Sequence, residues 1–94
     1  MTVYAISYDL QEPGQDYDDV HSAIEELGPS FDALESTWFV DVTNMSAGEV
    51  RDEITDAADG NDGIVVTEVS SSGIGKWAYT GIDGDLGDWF SEHL

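Results

Sequence analysis

Cysteine and basic residues are what this 94-residue sequence most conspicuously lacks. It has no cysteine, which excludes a disulfide framework and any metal site held by thiolates. Apart from two histidines its only basic residues are Arg51 and Lys76, so it lacks the basic face with which proteins usually bind nucleic acid. The length leaves room for one domain with one hydrophobic core.

Long apolar runs are also missing from the sequence. No segment approaches the roughly 20 apolar residues that a membrane-spanning helix needs. The N-terminus has no basic segment followed by an apolar stretch, the pattern that indicates a signal peptide. We therefore expect a cytoplasmic protein with no membrane association.

Acidic residues, in contrast, are in large excess. The 21 Asp and Glu against two Lys and Arg give a formal charge of −19. Disorder is excluded because 40% of the residues are hydrophobic, a fraction sufficient for a core. Salt shortens the range of carboxylate repulsion from about 10 Å at 0.1 M to about 3 Å at 1 M. The composition is typical of halophilic proteins, and a protein that mimics nucleic acid or docks on a basic partner is the alternative.

Hydrophobic periodicity predicts the order β-α-β-β-α-β within residues 1–69. Strands are predicted at 3–10 and 62–69, helices at 16–27 and 46–60, and strand material at 31–43. A break near Glu35 and Ser36 would divide 31–43 into a hairpin of a short and a longer strand, whereas one long bulged strand is the alternative. The order predicts an α+β, ferredoxin-like sandwich.

The C-terminal residues 70–94 form an extension to this unit. Residues 76–82 are predicted to be a short edge strand or an extended arm. Leu86, Trp89, Phe90 and His93 recur at helical spacing and predict a helix within 83–94. A ferredoxin-like sheet leaves one face open, which this aromatic tail can cover in its own chain or in a partner. We expect one domain, residues 1–94, with its core at 1–69, and the exposed aromatic residues favour a homodimer.

Two segments resemble a known family. The first predicted strand ends in Tyr8-Asp9-Leu10, and Glu-Ser-Thr-Trp-Phe-Val follows at 35–40. With the element order, these segments resemble the small CRISPR-associated adaptation proteins, which are homodimeric, ferredoxin-like and described as metal-dependent endoribonucleases or nucleases. Over nearly the whole chain the sequence is also similar to short proteins labelled SinR-like. The resemblance implies a ferredoxin-like fold, but the basic residues that line the nucleic-acid surface of the CRISPR-associated family are missing.

Asp9 is the candidate catalytic and metal-binding residue, since it stands where the CRISPR-associated family has its metal-site aspartate. Two copies of Asp9 across a dimer axis would hold one Mg²⁺, which neutralises a phosphate and activates water. In the alternative interpretation, Asp9 ends the strand by accepting hydrogen bonds from amides of the turn at 10–14. One carboxylate per subunit is a weak ligand set, which favours this alternative.

Other polar motifs are better explained as structure. The acidic stretches at 16–18, 59–63 and 83–88 have acids near glycine but lack the full pattern of a calcium loop, and they are predicted to be turns or caps. His21 and His93 have no nucleophile pattern beside them. His21 is predicted to be a boundary or surface residue.

Two hypotheses about function follow. The first is a non-catalytic, dimeric interaction module, in a defence or toxin–antitoxin-type system, that binds through its sheet face or aromatic tail. The second is a Mg²⁺-dependent ribonuclease or deoxyribonuclease centred on Asp9, with Mg²⁺ as its cofactor. The first is favoured because residues for catalysis are scarce while apolar residues in the tail are plentiful.

Overall fold

The computed structural model describes residues 2–9, 17–57, 63–69 and 77–94. These residues form an α+β structure with a four-stranded antiparallel sheet and three helices. The elements in chain order are β1 (Thr2–Asp9), α1 (Tyr17–Leu27), β2 (Ser30–Leu34), β3 (Thr37–Val42), α2 (Ala47–Thr55), β4 (Gly63–Val69) and α3 (Leu86–His93).

The strands are arranged in the order β2-β3-β1-β4. β1 lies in the middle of the sheet and pairs antiparallel with both β3 and β4, while β2 pairs antiparallel with β3. A central position agrees with the sequence of β1, in which both faces are apolar or small. The division into a core at 1–69 and an extension at 70–94 stays a prediction.

The hairpin interpretation of residues 31–43 is confirmed. β2 ends at Leu34, β3 begins at Thr37, and Glu35 and Ser36 form the turn between them. The register also shifts between Asp32 and Leu34, so a bulge accompanies the hairpin. The alternative of one continuous bulged strand is wrong, because the chain reverses at the turn.

The main core lies between the sheet and helices α1 and α2. Alternate residues of β1 and β3 meet the apolar stripes of the two helices, as their spacing predicts. Burial of each large aliphatic side chain contributes about 1.5–3 kcal/mol. The buried residues of this layer are Tyr4, Ile6, Tyr8, Val20, Ile24, Trp38, Val40, Val42, Val50 and Ile54.

Local signals set the ends of the two helices. Gly28 follows α1 with φ of 157°, and a Cβ there would lie 2.1 Å from the carbonyl oxygen of Asp41, so only glycine fits. Ser46 caps α2 in the predicted capping box, in which its hydroxyl accepts from the Glu49 amide and the Glu49 carboxylate accepts from the Ser46 amide. The connections at 10–16 and 58–62 lie outside the described residues.

Helix α3 packs on the opposite face of the sheet from α1 and α2. It begins at Leu86, later than the predicted 83, because Asp85 is its N-cap and accepts a hydrogen bond from the Asp88 amide. Residues 77–82 precede it and belong to no strand. The extended-arm interpretation therefore fits the described part of 76–82, and Lys76 lies outside it. No helix in the described part of the chain is long and apolar enough to cross a membrane.

Candidate functional site

The sheet face that carries α3, here called the outer face, is built from the residues of each strand that point away from the main core. The register pairs Val3 with Asp41, Ala5 with Phe39 and Ser7 with Thr37. Because paired residues project to the same side, the same register assigns the neighbouring positions of β4 and β2 to this face. Those positions are Val65, Thr67 and Val69 on β4, and Phe31 and Leu34 on β2.

Helix α3 covers one half of the outer face through aromatic contacts. Leu86 and Phe90 are each 3% exposed. The ring of Phe90 meets that of Phe39 edge-on, with the ring centroids 4.9 Å apart. Trp89 lies 6.4 Å from Phe31 and 6.5 Å from Phe39 between ring centroids. The aromatic tail therefore covers the sheet of its own chain, which is one of the two arrangements that the sequence left open.

A buried polar pair completes the attachment of α3. The Nδ1 of His93 lies 2.7 Å from the Oδ2 of Asp41, and the Asp41 side chain is only 1% exposed. The other carboxylate oxygen of Asp41 is buried without a hydrogen-bond partner among the described residues. The indole of Trp89 covers the His93 ring at a centroid distance of 4.4 Å. The enclosure of this pair indicates a structural role for His93.

Beside α3, the arm at residues 77–82 encloses a cavity of about 420 Å³, here called the aromatic groove. The rings of Phe39, Trp77, Tyr79 and Phe90 line it. None of the described residues that line it is charged, although the chain carries 21 acids. Such a composition is typical of a binding cleft rather than of the acidic surface elsewhere.

The two outermost rings of the aromatic groove are held in place and remain accessible. The hydroxyl of Tyr79 accepts a hydrogen bond of 2.8 Å from the Gly87 amide in the first turn of α3. The indole of Trp77 contacts Phe90 at a centroid distance of 5.1 Å. Trp77 is nevertheless 38% exposed and Tyr79 45% exposed. Both rings are therefore held by α3 and still expose surface to which a ligand or partner can bind.

The half of the outer face that α3 leaves uncovered is here called the exposed strip, formed by Ser7, Leu34, Thr37, Val65 and Thr67. Val65 is 61% exposed and Leu34 is 53% exposed. Ser7 and Thr37 lie between Val65 and Leu34, and their hydroxyl oxygens are 3.2 Å apart, within hydrogen-bond distance. No residue of the strip is charged, so it differs from the acidic surface of the chain.

Asp9 lies at the end of the exposed strip. It is exposed, and it pairs with Gly63 at the end of β4. Within the described residues, no group of three or more His, Asp or Glu side chains lies close enough to hold a metal ion. The assignment of Asp9 as a catalytic and metal-binding residue stays a prediction. The turn at 10–14, on which the alternative interpretation of Asp9 depends, lies outside the described residues.

His21 belongs to a second polar cluster on the helical side of the sheet. Its Nε2 lies 2.7 Å from the Tyr8 hydroxyl, which also lies 3.1 Å from the carbonyl oxygen of Glu35. A carbonyl only accepts, so the single hydroxyl proton of Tyr8 goes to Glu35 and His21 donates to Tyr8. The His21 ring also packs on Trp38 at 4.8 Å between centroids. His21 is half-buried, so of the two predicted positions, boundary and surface, it occupies the boundary.

The acidic stretch at 83–88 is a turn and helix cap, as predicted. Gly84 has φ of 91°, and Asp85 is the N-cap of α3. The pKa of Asp88 is raised above the ordinary value of 3.8, first by a hydrogen bond to the Asp85 side chain and then by the negative charge of Asp85. The predictions for 59–62 and for Asp16 fall outside the described residues.

Comparisons of the chain with protein-family models, with curated proteins and with solved structures found no match. The outer face itself is therefore the feature of the chain that indicates a function. The sequence missed the pairing of Asp41 with His93 and the aromatic groove. The pairing of Asp41 with His93 did have a signal in the sequence, namely an aspartate within the apolar run Trp-Phe-Val-Asp-Val. A carboxylate buried in such a strand needs a hydrogen-bonding partner.

Proposed function

We propose that the chain is a non-catalytic interaction module that forms a homodimer through the exposed strip. The observation that carries the proposal is the position of Leu34 and Val65, the two most exposed large hydrophobic residues of the described chain, on one uncharged sheet face. The Ser7 and Thr37 hydroxyls lie between these two side chains, and exposed apolar side chains gathered on one uncharged face indicate an interaction surface. Among the described strand residues of this face, Asp9 is the only exposed acid, and it lies at the end of the strip.

The charge distribution favours a second copy of the chain as the partner. A basic partner would be attracted to the acidic surfaces, whereas the uncharged strip has no negative charge to attract it. Two identical uncharged strips can meet while the carboxylates remain at the rim of the interface. Each chain nevertheless carries a formal charge of −19, so the two chains repel at low salt. The dimer is thus matched to a high-salt environment, in agreement with the halophilic composition.

We also propose that the fold is ferredoxin-like. The element order β1-α1-β2-β3-α2-β4 and the antiparallel strand order β2-β3-β1-β4 support this assignment. The proposed relationship to the SinR-like and CRISPR-associated families, and with it a place in a defence or toxin–antitoxin-type system, rests on the resemblance of the sequence segments. The cytoplasmic location expected from the sequence stays a prediction.

Light scattering coupled to size-exclusion chromatography in molar KCl tests the dimer. The wild-type chain should have twice the monomer mass of 10.2 kDa. Val65→Asp replaces the most exposed apolar side chain of the strip with a charge and should give the monomer mass. Thr43→Asp adds the same charge at an exposed position outside the strip and should leave the dimer intact. A monomeric wild-type chain, or equal masses for the two variants, would contradict the proposal.

The nuclease hypothesis remains as a second candidate, because Asp9 is exposed at the end of the proposed interface. In this hypothesis two copies of Asp9 across a dimer axis hold one Mg²⁺. Incubation with RNA and with DNA, in molar KCl with Mg²⁺ or Mn²⁺, distinguishes the two functions. Cutting by the wild type that is lost in Asp9→Asn would establish the nuclease. Absence of cutting by either protein supports the interaction module.

A further inference from the structure

The aromatic groove has the size and lining of a small-molecule site. Its volume of about 420 Å³ lies within the range of about 300–1,000 Å³ found for ligand pockets. Four aromatic rings line it, and its described walls carry no ionic group. An anionic ligand would therefore find no cation there to bind. The aromatic faces are the distinctive chemical feature of the site.

The charge of the whole chain determines which ligands the groove attracts. A formal charge of −19 draws cations towards every cleft of the surface and repels anions. Small metal ions keep their water and prefer oxygen ligands, which the carboxylates outside the groove provide. A cation whose charge is spread over methyl groups is instead attracted to aromatic faces, which bind it through their quadrupoles. Charge and lining together favour an organic cation.

We propose that the aromatic groove binds a small quaternary ammonium cation between Trp77 and Tyr79. These two rings are the accessible ones, and each is attached to α3, Trp77 through Phe90 and Tyr79 through the Gly87 amide. This second function does not rest on the proposed dimer, because one chain supplies both rings. Leu34 and Thr37 belong to both the groove lining and the exposed strip, so a dimer narrows the mouth of the groove without replacing its aromatic walls.

Calorimetric titration with choline and with its neutral analogue 3,3-dimethylbutan-1-ol tests the proposal at fixed KCl concentration. The two ligands have the same shape and differ in charge. Choline should bind about 2- to 5-fold more tightly, the difference expected for cation–π contacts at a partly exposed site. Equal affinities would show a merely apolar groove and overturn the proposal, as would the absence of choline binding.

Two variants locate the site. Trp77→Leu removes one aromatic face and should abolish the preference for choline, whereas Trp77→Phe should retain part of it. Trp89→Phe alters a ring that does not line the groove and should leave choline binding unchanged. Circular dichroism shows whether each variant is folded. Retention of full choline binding by folded Trp77→Leu would overturn the proposal. Light scattering of the same samples reports the dimer separately, so failure of one proposal is distinguishable from failure of the other.

Discussion

His93, in the last turn of α3, is hydrogen-bonded to Asp41, in the buried strand β3. The Nδ1–Oδ2 distance is 2.7 Å, and the pair joins positions 52 residues apart in the sequence. A carboxylate oxygen accepts, so Nδ1 of His93 carries the proton. Asp41 is only 3% exposed and its second oxygen has no partner among the described residues. The burial of this carboxylate therefore depends on α3 remaining in place.

We expect His93→Ala to destabilise the fold strongly. It leaves the Asp41 carboxylate buried without its hydrogen-bond donor, a change that typically costs about 3 kcal/mol. Urea unfolding in molar KCl measures the loss. Glu92→Ala is the control, because Glu92 lies 3.9 Å from His93 Nε2 but is 76% exposed, and its removal should change the free energy of unfolding by less than about 0.5 kcal/mol. Similar losses in the two variants would show that the buried hydrogen bond is not what holds α3.

The cluster of Tyr8 and His21 gives a second prediction. Tyr8→Phe removes the hydroxyl that joins α1 to the hairpin turn, and it should lower the free energy of unfolding by about 1 kcal/mol. When His21 is already replaced by alanine, the same substitution should cost much less. Tyr4→Phe is the matched control, since the Tyr4 hydroxyl donates to the Met45 carbonyl and not to His21. Denaturant unfolding of the single and double variants measures both couplings. If the losses in the free energy of unfolding caused by Tyr8→Phe and His21→Ala simply add in the double variant, the assigned hydrogen bond between these residues is contradicted.

The main core could be predicted from the sequence because it depends on local periodicity. Alternation in β1 and the stripe of Val20 and Ile24 in α1 determine which residues face each other, whatever the distance between them. The capping box at Ser46 is a local signal of the same kind. The structure confirms β1, α1 and the capping box of α2, all of which were predicted from local patterns.

The outer face could not be predicted in the same way, because it depends on where the tail returns. Helical spacing identified Leu86 and Phe90 as one apolar stripe, but nothing in that spacing specifies Phe39 as the partner. The aromatic groove arises only when the arm that carries Trp77 and Tyr79 crosses the sheet. Long-range placement of this kind is not encoded in the local pattern.

Asp88 should titrate at a higher pH than an ordinary aspartate. Its pKa is raised by the hydrogen bond to the Asp85 side chain, and the negative charges of Asp85 and Glu92 act in the same direction. Because the folded state holds this proton more tightly than the unfolded state, the contribution of Asp88 to stability rises as the pH falls through the raised pKa. Carboxyl-carbon NMR measures the titration directly.

Asp85→Asn provides the control for this titration. Asparagine is as good an N-cap as aspartate, so α3 should keep its first turn. The negative charge at residue 85 is lost, and the pKa of Asp88 should return towards its ordinary value. An unchanged titration of Asp88 in Asp85→Asn would mean that the negative charge of Asp85 does not contribute to the raised pKa of Asp88.

Acidic side chains also line a cleft between α1 and α2 of about 580 Å³. Asp19 and Glu26 of α1 face Glu53 of α2 and Asp56 just after it. None of the described residues lining the cleft is basic, so repulsion across it opposes the packing of the two helices at low salt. We expect the free energy of unfolding to rise markedly between dilute buffer and molar KCl, because salt screens this repulsion.

Neutralising the cleft should remove part of that salt dependence. Glu26→Gln with Glu53→Gln takes two charges from opposite walls, and should stabilise the fold in dilute buffer by about 0.5 kcal/mol but hardly at all in molar KCl. Glu25→Gln with Glu92→Gln changes the net charge equally at exposed positions outside the cleft lining, and should have the smaller effect. Denaturant unfolding at the two salt concentrations measures both pairs. Equal effects of the two pairs would show that the salt dependence of the free energy of unfolding comes from the net charge of the chain and not from the position of the charges across the cleft.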